Sequence, residues 1–180
     1  MFINTNKLST VLKKAYKGAG IHLERRGSRL IVVTGMMYIE ADIETMTNSF
    51  KAAVITFAGE LPPDKAAVTV SEDLSQNNIP KSYDRNLFEK DIFGYRSFCE
   101  TAFTYNGDPV LQADDGSIVT IPVKEWTVYS LKNLGDSEDD PDGWYDDGSG
   151  IICRNSTMIL QYSYNQADEI LCRSEAISLR

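Results

Sequence analysis

Lys7, Lys13, Lys14 and Lys17 recur at helical spacing, and Arg25, Arg26 and Arg29 follow soon after. Ammonium and guanidinium groups grouped in this way neutralise phosphates and displace counterions from a polyanion. Residues 1–35 hold seven of the 18 basic side chains beside a single acid, Glu24, for a net +6. The remainder carries 11 basic and 25 acidic side chains, for a net −14. A field divided in this way suits a charged partner, although an ordinary solvated helix also carries lysines on its outer face. No array of Asn, Gln and Arg is set to read base edges, and Tyr16 alone borders the lysines. Contact is therefore expected along the duplex backbone, without base readout or single-strand stacking.

Other chemistry has little to stand on. The one histidine, His22, falls inside a predicted strand with no evident partner for acid–base work, so it reads as a structural or surface residue. Cys99, Cys153 and Cys172 are widely spaced and odd in number, which suits neither a disulfide framework nor a zinc site. They are expected to be reduced and internal. There is no Gly-rich phosphate loop and no nucleophile elbow. The acidic run at 136–147 offers oxygen ligands and a glycine. An EF-hand counted from Glu138 would nevertheless have Ser149 at its twelfth place, where a bidentate Glu belongs. A solvated loop is the expectation there, with weak cation binding as the alternative. No catalytic residue, metal site or cofactor is expected, and the chain does not read as an enzyme.

The elements that must carry these residues follow from periodicity. Phe2–Thr5 suits a short strand. Asn4, Thr5 or Asn6 caps a helix over about 7–17, whose apolar face is Leu8, Val11, Leu12 and Ala15. The lysines occupy the opposite face, and Gly18 and Gly20 end the helix. Ile21–Arg25 and Leu30–Thr34 flank Arg26-Gly27-Ser28 as a hairpin, and Tyr38–Ile43 alternates like a half-buried strand. Spacing at Phe50, Ala53, Val54, Phe57, Ala58 and Leu61 favours a helix, although Val-Ile-Thr-Phe also suits a strand. Ala66–Val70 reads as a strand, Ser71–Tyr83 as a loop and Leu87–Tyr95 as a short helix. Strands are predicted at Phe98–Tyr105, Val110–Ala113 and Ile118–Ile121, joined at Asn106-Gly107 and Asp115-Gly116. Pro122 then opens a helix with Val123, Trp126, Leu131 and Leu134 on one side. After an acidic loop over 135–150, Ile151–Arg154 and Thr157–Tyr164 form a hairpin. The end, Asp168–Arg180, is strand or helix.

At 180 residues and 42% apolar content, the chain is long enough for one packed domain over 1–180. It shows no apolar signal region and no membrane-length run, which predicts a soluble cytoplasmic protein without a membrane partner.

Three stretches, Phe2-Ile3-Asn4, Leu8–Ala15 and Gly20–Thr34, followed by Tyr38–Ile43, resemble one domain of a DNA polymerase processivity clamp (sliding clamp). Val119-Thr-Ile-Pro-Val-Lys-Glu-Trp, with Leu131 and Leu134, is similar to the strand–Pro–helix unit of such domains, followed as there by a loop and the hairpin Ile151–Tyr164. The resemblance implies an α+β fold, a curved antiparallel sheet with two or three helices packed on one face. It also implies helices whose basic side chains face double-stranded DNA during replication, an acidic outer body, and a homo-oligomer if DNA is encircled. Residues 45–117 fall outside it and read as an insertion or divergent part. The alternative is a protein-interaction module of a mobile genetic element that uses the same scaffold without DNA. The nine tyrosines favour that reading, since tyrosine is enriched at interfaces.

Overall fold

The computed structural model describes residues 1–73, 87, 88, 91, 94–136, 138–166 and 177–179. In chain order these form α1 (Thr5–Tyr16), β1 (Ile21–Arg26), β2 (Arg29–Val33), β3 (Met37–Asp42), α2 (Asn48–Ala58) and β4 (Ala67–Val70). Next come β5 (Arg96–Tyr105), β6 (Asp108–Ala113), β7 (Ile118–Thr120), α3 (Val123–Trp126) and a 3-10 turn at Leu131–Asn133. The chain continues through β8 (Trp144–Asp146), β9 (Ile151–Arg154), β10 (Met158–Tyr162), β11 (Asn165–Gln166) and β12 (Ile177–Leu179).

The fold is α+β. One antiparallel sheet runs in the order β11-β7-β6-β5-β8-β9-β10-β3-β2-β1-β4, with β12 added against β5, and it does not close on itself. Strand alternation divides its two faces. Leu23, Leu30, Val32, Ile39, Leu160 and Cys153 join one core, which also takes Leu8 and Leu12 of α1 and Phe50 and Val54 of α2. Trp126 of α3 packs against the same core. The helices therefore cover one face. Ile31, Tyr38, Ile152 and Ile159 pack on the reverse face with Leu87 and Phe88.

Most elements lie where periodicity puts them. Asn4 caps α1, its Oδ1 accepting from Lys7 N–H at 3.2 Å, and Thr47 caps α2, accepting from Phe50 N–H at 3.2 Å. The β5–β6 turn uses Asn106 and Gly107 at φ 51° and 88°, the left-handed pair that a two-residue hairpin needs. α2, which joins the core, and β5 and β6, which join both sheet and core, all fall within 45–117.

Three expectations are corrected. The helix opening at Pro122 lasts a single turn, because the chain turns aside to pair with the N-terminal segment. Asn4 N–H donates to Val128 O (2.7 Å), Ser130 N–H donates to Phe2 O (2.9 Å), and Ile3 bridges Tyr129. Val123 and Leu131 end up 42% and 51% exposed, and Val128 takes the buried place instead. The N-terminal strand accordingly shrinks to that one bridge at Ile3. The acidic loop contains β8, which joins β5 to β9 around a buried Trp144. The expected loop at 71–83, the helix at 87–95 and the segment 168–180 lie largely outside the described residues; within the last, 177–179 is strand β12.

Candidate nucleic-acid interface

Burial of Leu8, Val11 and Leu12 against the sheet turns the opposite side of α1 outward. Lys7, Lys13, Lys14 and Lys17 are all exposed there. Lys13, Lys14 and Lys17 line one shallow open depression with Thr10 and Gly18. Lys7, six positions before Lys13, stands about 9 Å further along the axis. Lys13 and Lys14 occupy the last turn and Lys17 the C-cap, where cations offset the negative end of the helix dipole. Lys14 Nζ lies 3.9 Å from Glu125 Oε1, a long pair whose lysine is 69% exposed, and such pairs are weak. Lys7, Lys13 and Lys17 form no ion pair with any described residue.

The hairpin arginines do not extend this surface as a group. Arg26 shares strand parity with His22 and Glu24, opposite to the core residue Leu23. Arg29 stands directly across from Arg26. Both therefore sit on the sheet face turned away from α1. Arg26 Nε donates to Glu24 Oε1 at 2.6 Å. Arg29 stacks over the Phe88 ring at 3.7 Å and donates to Thr157 O at 3.3 Å. Arg25 alone has the parity of the helix-covered face, and its Nε donates to Gly27 O at the hairpin tip (3.1 Å).

Three lysines that sequence reasoning did not group with the others stand on the same layer. α2 carries Lys51, α3 carries Lys124 and the 3-10 turn carries Lys132. α2 reaches α1 through Tyr16 and Phe57, whose rings are 5.5 Å apart, and α3 reaches it through Lys14 and Glu125. Together the helical segments and their caps hold seven lysines and one acid, Glu125, which is 5% exposed. Each added lysine is alone in its own segment, so its membership became visible only once the helices were seen on one side of the sheet.

The reverse face buries polar groups in neighbouring register. Glu24 and Glu40 flank Ile31 on adjacent strands, and Tyr38 O–H donates to Glu40 Oε2 at 2.7 Å. His22 Nε2 lies 3.8 Å from Glu24 Oε2. Burial depresses the His22 pKa, outweighing the nearby Glu24 carboxylate. Burial raises the Glu40 pKa despite the Tyr38 hydroxyl and the Arg29 charge. A raised carboxyl pKa means that the folded state disfavours the ion, so stability falls as pH rises from about the ordinary 4.5 through the raised value. Replacing Glu40 with Gln keeps an acceptor for Tyr38 and removes the charge. The E40Q variant should melt above the wild type at pH 7, with the gap closing as pH drops to 4.5 and below. Equal melting temperatures at pH 7 would contradict this.

The acidic stretch spends its carboxylates on separate partners. Glu138 pairs with the Met1 amine, Asp139 accepts from Ser156 N–H (3.0 Å) and O–H (2.6 Å), and Asp142 accepts from Arg154 Nε (3.2 Å). Hydrogen bonds from Ser156 hold the Asp139 pKa below its usual range. Among the described residues no group of three or more His, Cys, Asp or Glu is placed to hold a metal ion. Cys153 is buried, and burial pushes its thiol pKa up. Cys99 is exposed on β5, against the expectation of an internal position, and Cys172 lies outside the described residues. No helix among the described residues is long and apolar enough to cross a membrane. Compared with protein-family models, curated proteins and solved structures, the chain matches none.

Proposed function

We propose that this is a non-enzymatic, DNA-associated protein related in design to polymerase processivity clamps. The outer side of its helical layer contacts the duplex backbone through Lys7, Lys13, Lys14 and Lys17, assisted by Lys51, Lys124 and Lys132. The observation that carries the reading is the composition of that layer, seven lysines with one buried acid, on a chain of net charge −8. An acidic protein that concentrates its lysines on one side can hold a polyanion there and repel it elsewhere. Lysine ammoniums are point charges without a fixed fork, so they neutralise phosphates without fixing register, and the contact can slide. The order helix, hairpin, strand, and helices on one face of an open antiparallel sheet, support the clamp-like part of the proposal.

The test is the salt dependence of duplex binding. Four to seven lysine–phosphate contacts give a log–log slope of roughly −4 to −6, so affinity should fall about 10²- to 10⁴-fold between 50 and 200 mM salt. Duplexes of unrelated sequence should behave alike. Protein that fails to retain any duplex at 50 mM salt, or that prefers one sequence strongly, would refute the proposal. Recovery of a protein partner without DNA under those conditions would favour the interaction-module reading instead.

A further inference from the structure

We infer that the open end of the β2–β3 hairpin is a binding site for a small uncharged polyol, a molecule of the monosaccharide class. A cavity of about 150 Å³ lies there, between the turn at 34–36, the end of β10 and the β8–β9 turn. Thr34, Met36, Met37, Tyr38, Gln161 and Ser163 line it, and no residue of its lining is charged. It shares no residue with the lysine depression on α1.

The sheet ladder is half made at this point. Thr34 stands across from Met37, and Met36 across from Ser163, each one step beyond the last paired residues. A full rung between such residues exchanges two hydrogen bonds. Thr34 N–H donates to Met37 O (2.8 Å), yet among the described residues Met37 N–H has no acceptor and Thr34 C=O no donor. Ser163 N–H donates to Met36 O (2.9 Å), and Met36 N–H and Ser163 C=O are left in the same way. Met37 is 2% exposed. A buried backbone group in that position costs about as much as a lost hydrogen bond unless another molecule satisfies it. All four residues line the cavity.

The pattern of those groups selects the ligand. Each half-made rung offers one donor and one acceptor. A hydroxyl donates and accepts through a single oxygen, so hydroxyls on neighbouring carbons answer both rungs. Thr34 and Ser163 add two hydroxyl side chains to the lining. Charge argues against an anion. Asp147 stands behind the wall, its Oδ1 accepting from Gln161 Nε2 (3.1 Å) and from Ser149 Oγ (2.5 Å), and no Lys or Arg lines the cavity to offset it. The same bonds fix the amide of Gln161, which is 3% exposed. Val33 and Tyr38 extend the lining from the apolar reverse-face cluster, which suits the C–H side of a sugar ring. At about 30 Å³ of liquid volume each, roughly five waters would be needed to fill this space. One polyol replaces them.

The test is a titration of the full chain, without DNA, followed through its backbone amide resonances. Glucose and glycerol are the polyol probes, with inorganic phosphate and acetamide as the charged and amide controls. The Met36 and Met37 amides should shift and saturate with glucose, and at higher concentration with glycerol, while the amides around Lys13 and Lys17 stay still. Ser163→Leu fills the cavity and should weaken the glucose response at least about tenfold. If S163L does not fold, the near-isosteric pair T34V and S163A removes two hydroxyls and should weaken it by a similar factor. Polyol shifts that stay linear would mean that water alone fills the cavity. That result, saturation by phosphate or acetamide as tight as by glucose, or a response that the folded variant leaves unchanged would each overturn the inference.

Discussion

Replacing Lys13, Lys14 and Lys17 together with glutamate is expected to abolish duplex retention at 50 mM salt and leave the fold in place. These three line a shared depression on α1, and none touches the core. Reversal removes three phosphate contacts and adds three repulsions at the same spot, so affinity should drop by at least about 10²-fold. Glutamate and lysine have similar helix propensity, which protects α1 itself. Acids in the last turn do oppose the helix dipole, by about 0.3–1 kcal/mol each. The carboxylate put in place of Lys14 would also face Glu125. The glutamine triple variant is the companion measurement, because it keeps the surface neutral and lowers the salt slope by about 0.9 per lysine. Retention unchanged in both variants would end the case for this surface.

The largest expected effect on stability comes from Trp144→Ala. Trp144 is 4% exposed, with ring centroids 4.9 Å from both Trp126 and Tyr129 and 5.9 Å from Tyr162. Its Nε1–H donates to Glu100 Oε1 at 3.3 Å. The residue also belongs to β8, the three-residue strand that joins the β5–β7 half of the sheet to the β9, β10 and β1–β4 half. Emptying that position should cost about 3–5 kcal/mol, or roughly 6–20 °C in melting temperature for a chain of this size. Trp144→Phe should recover much of it. A loss under about 3 °C would mean that the two halves are joined by something other than this packing.

Local order was legible, and its limits have identifiable causes. The Asn4 cap, the Leu8–Val11–Leu12 stripe, the hairpin over 21–33 and the turn at Asn106-Gly107 all follow from neighbours in sequence. The helix after Pro122 failed because Val128 and Ser130 bond to Asn4 and Phe2, partners no periodicity discloses. β8 stayed hidden because it spans three residues inside a run of aspartates and is a strand only through pairing with β5 and β9. For the site, the lysines of α1 were readable from the helical repeat. The separation of Arg26 from them is readable too, since Arg26 lies an odd number of places from Leu23 on one strand. Lys51, Lys124 and Lys132 were not readable, because the side of the sheet on which each helix lands is a tertiary outcome.

The aromatic seam also determines how the molecule can be watched. Both tryptophans stand in it, their centroids 4.9 Å apart, so the intrinsic fluorescence comes from one place beneath the helices. Emission should stay steady when a ligand settles on the outer lysines. It should shift red and lose its tyrosine-to-tryptophan energy transfer at the moment the two halves of the sheet part. A single optical signal would thus distinguish loading of the surface from rupture of the body.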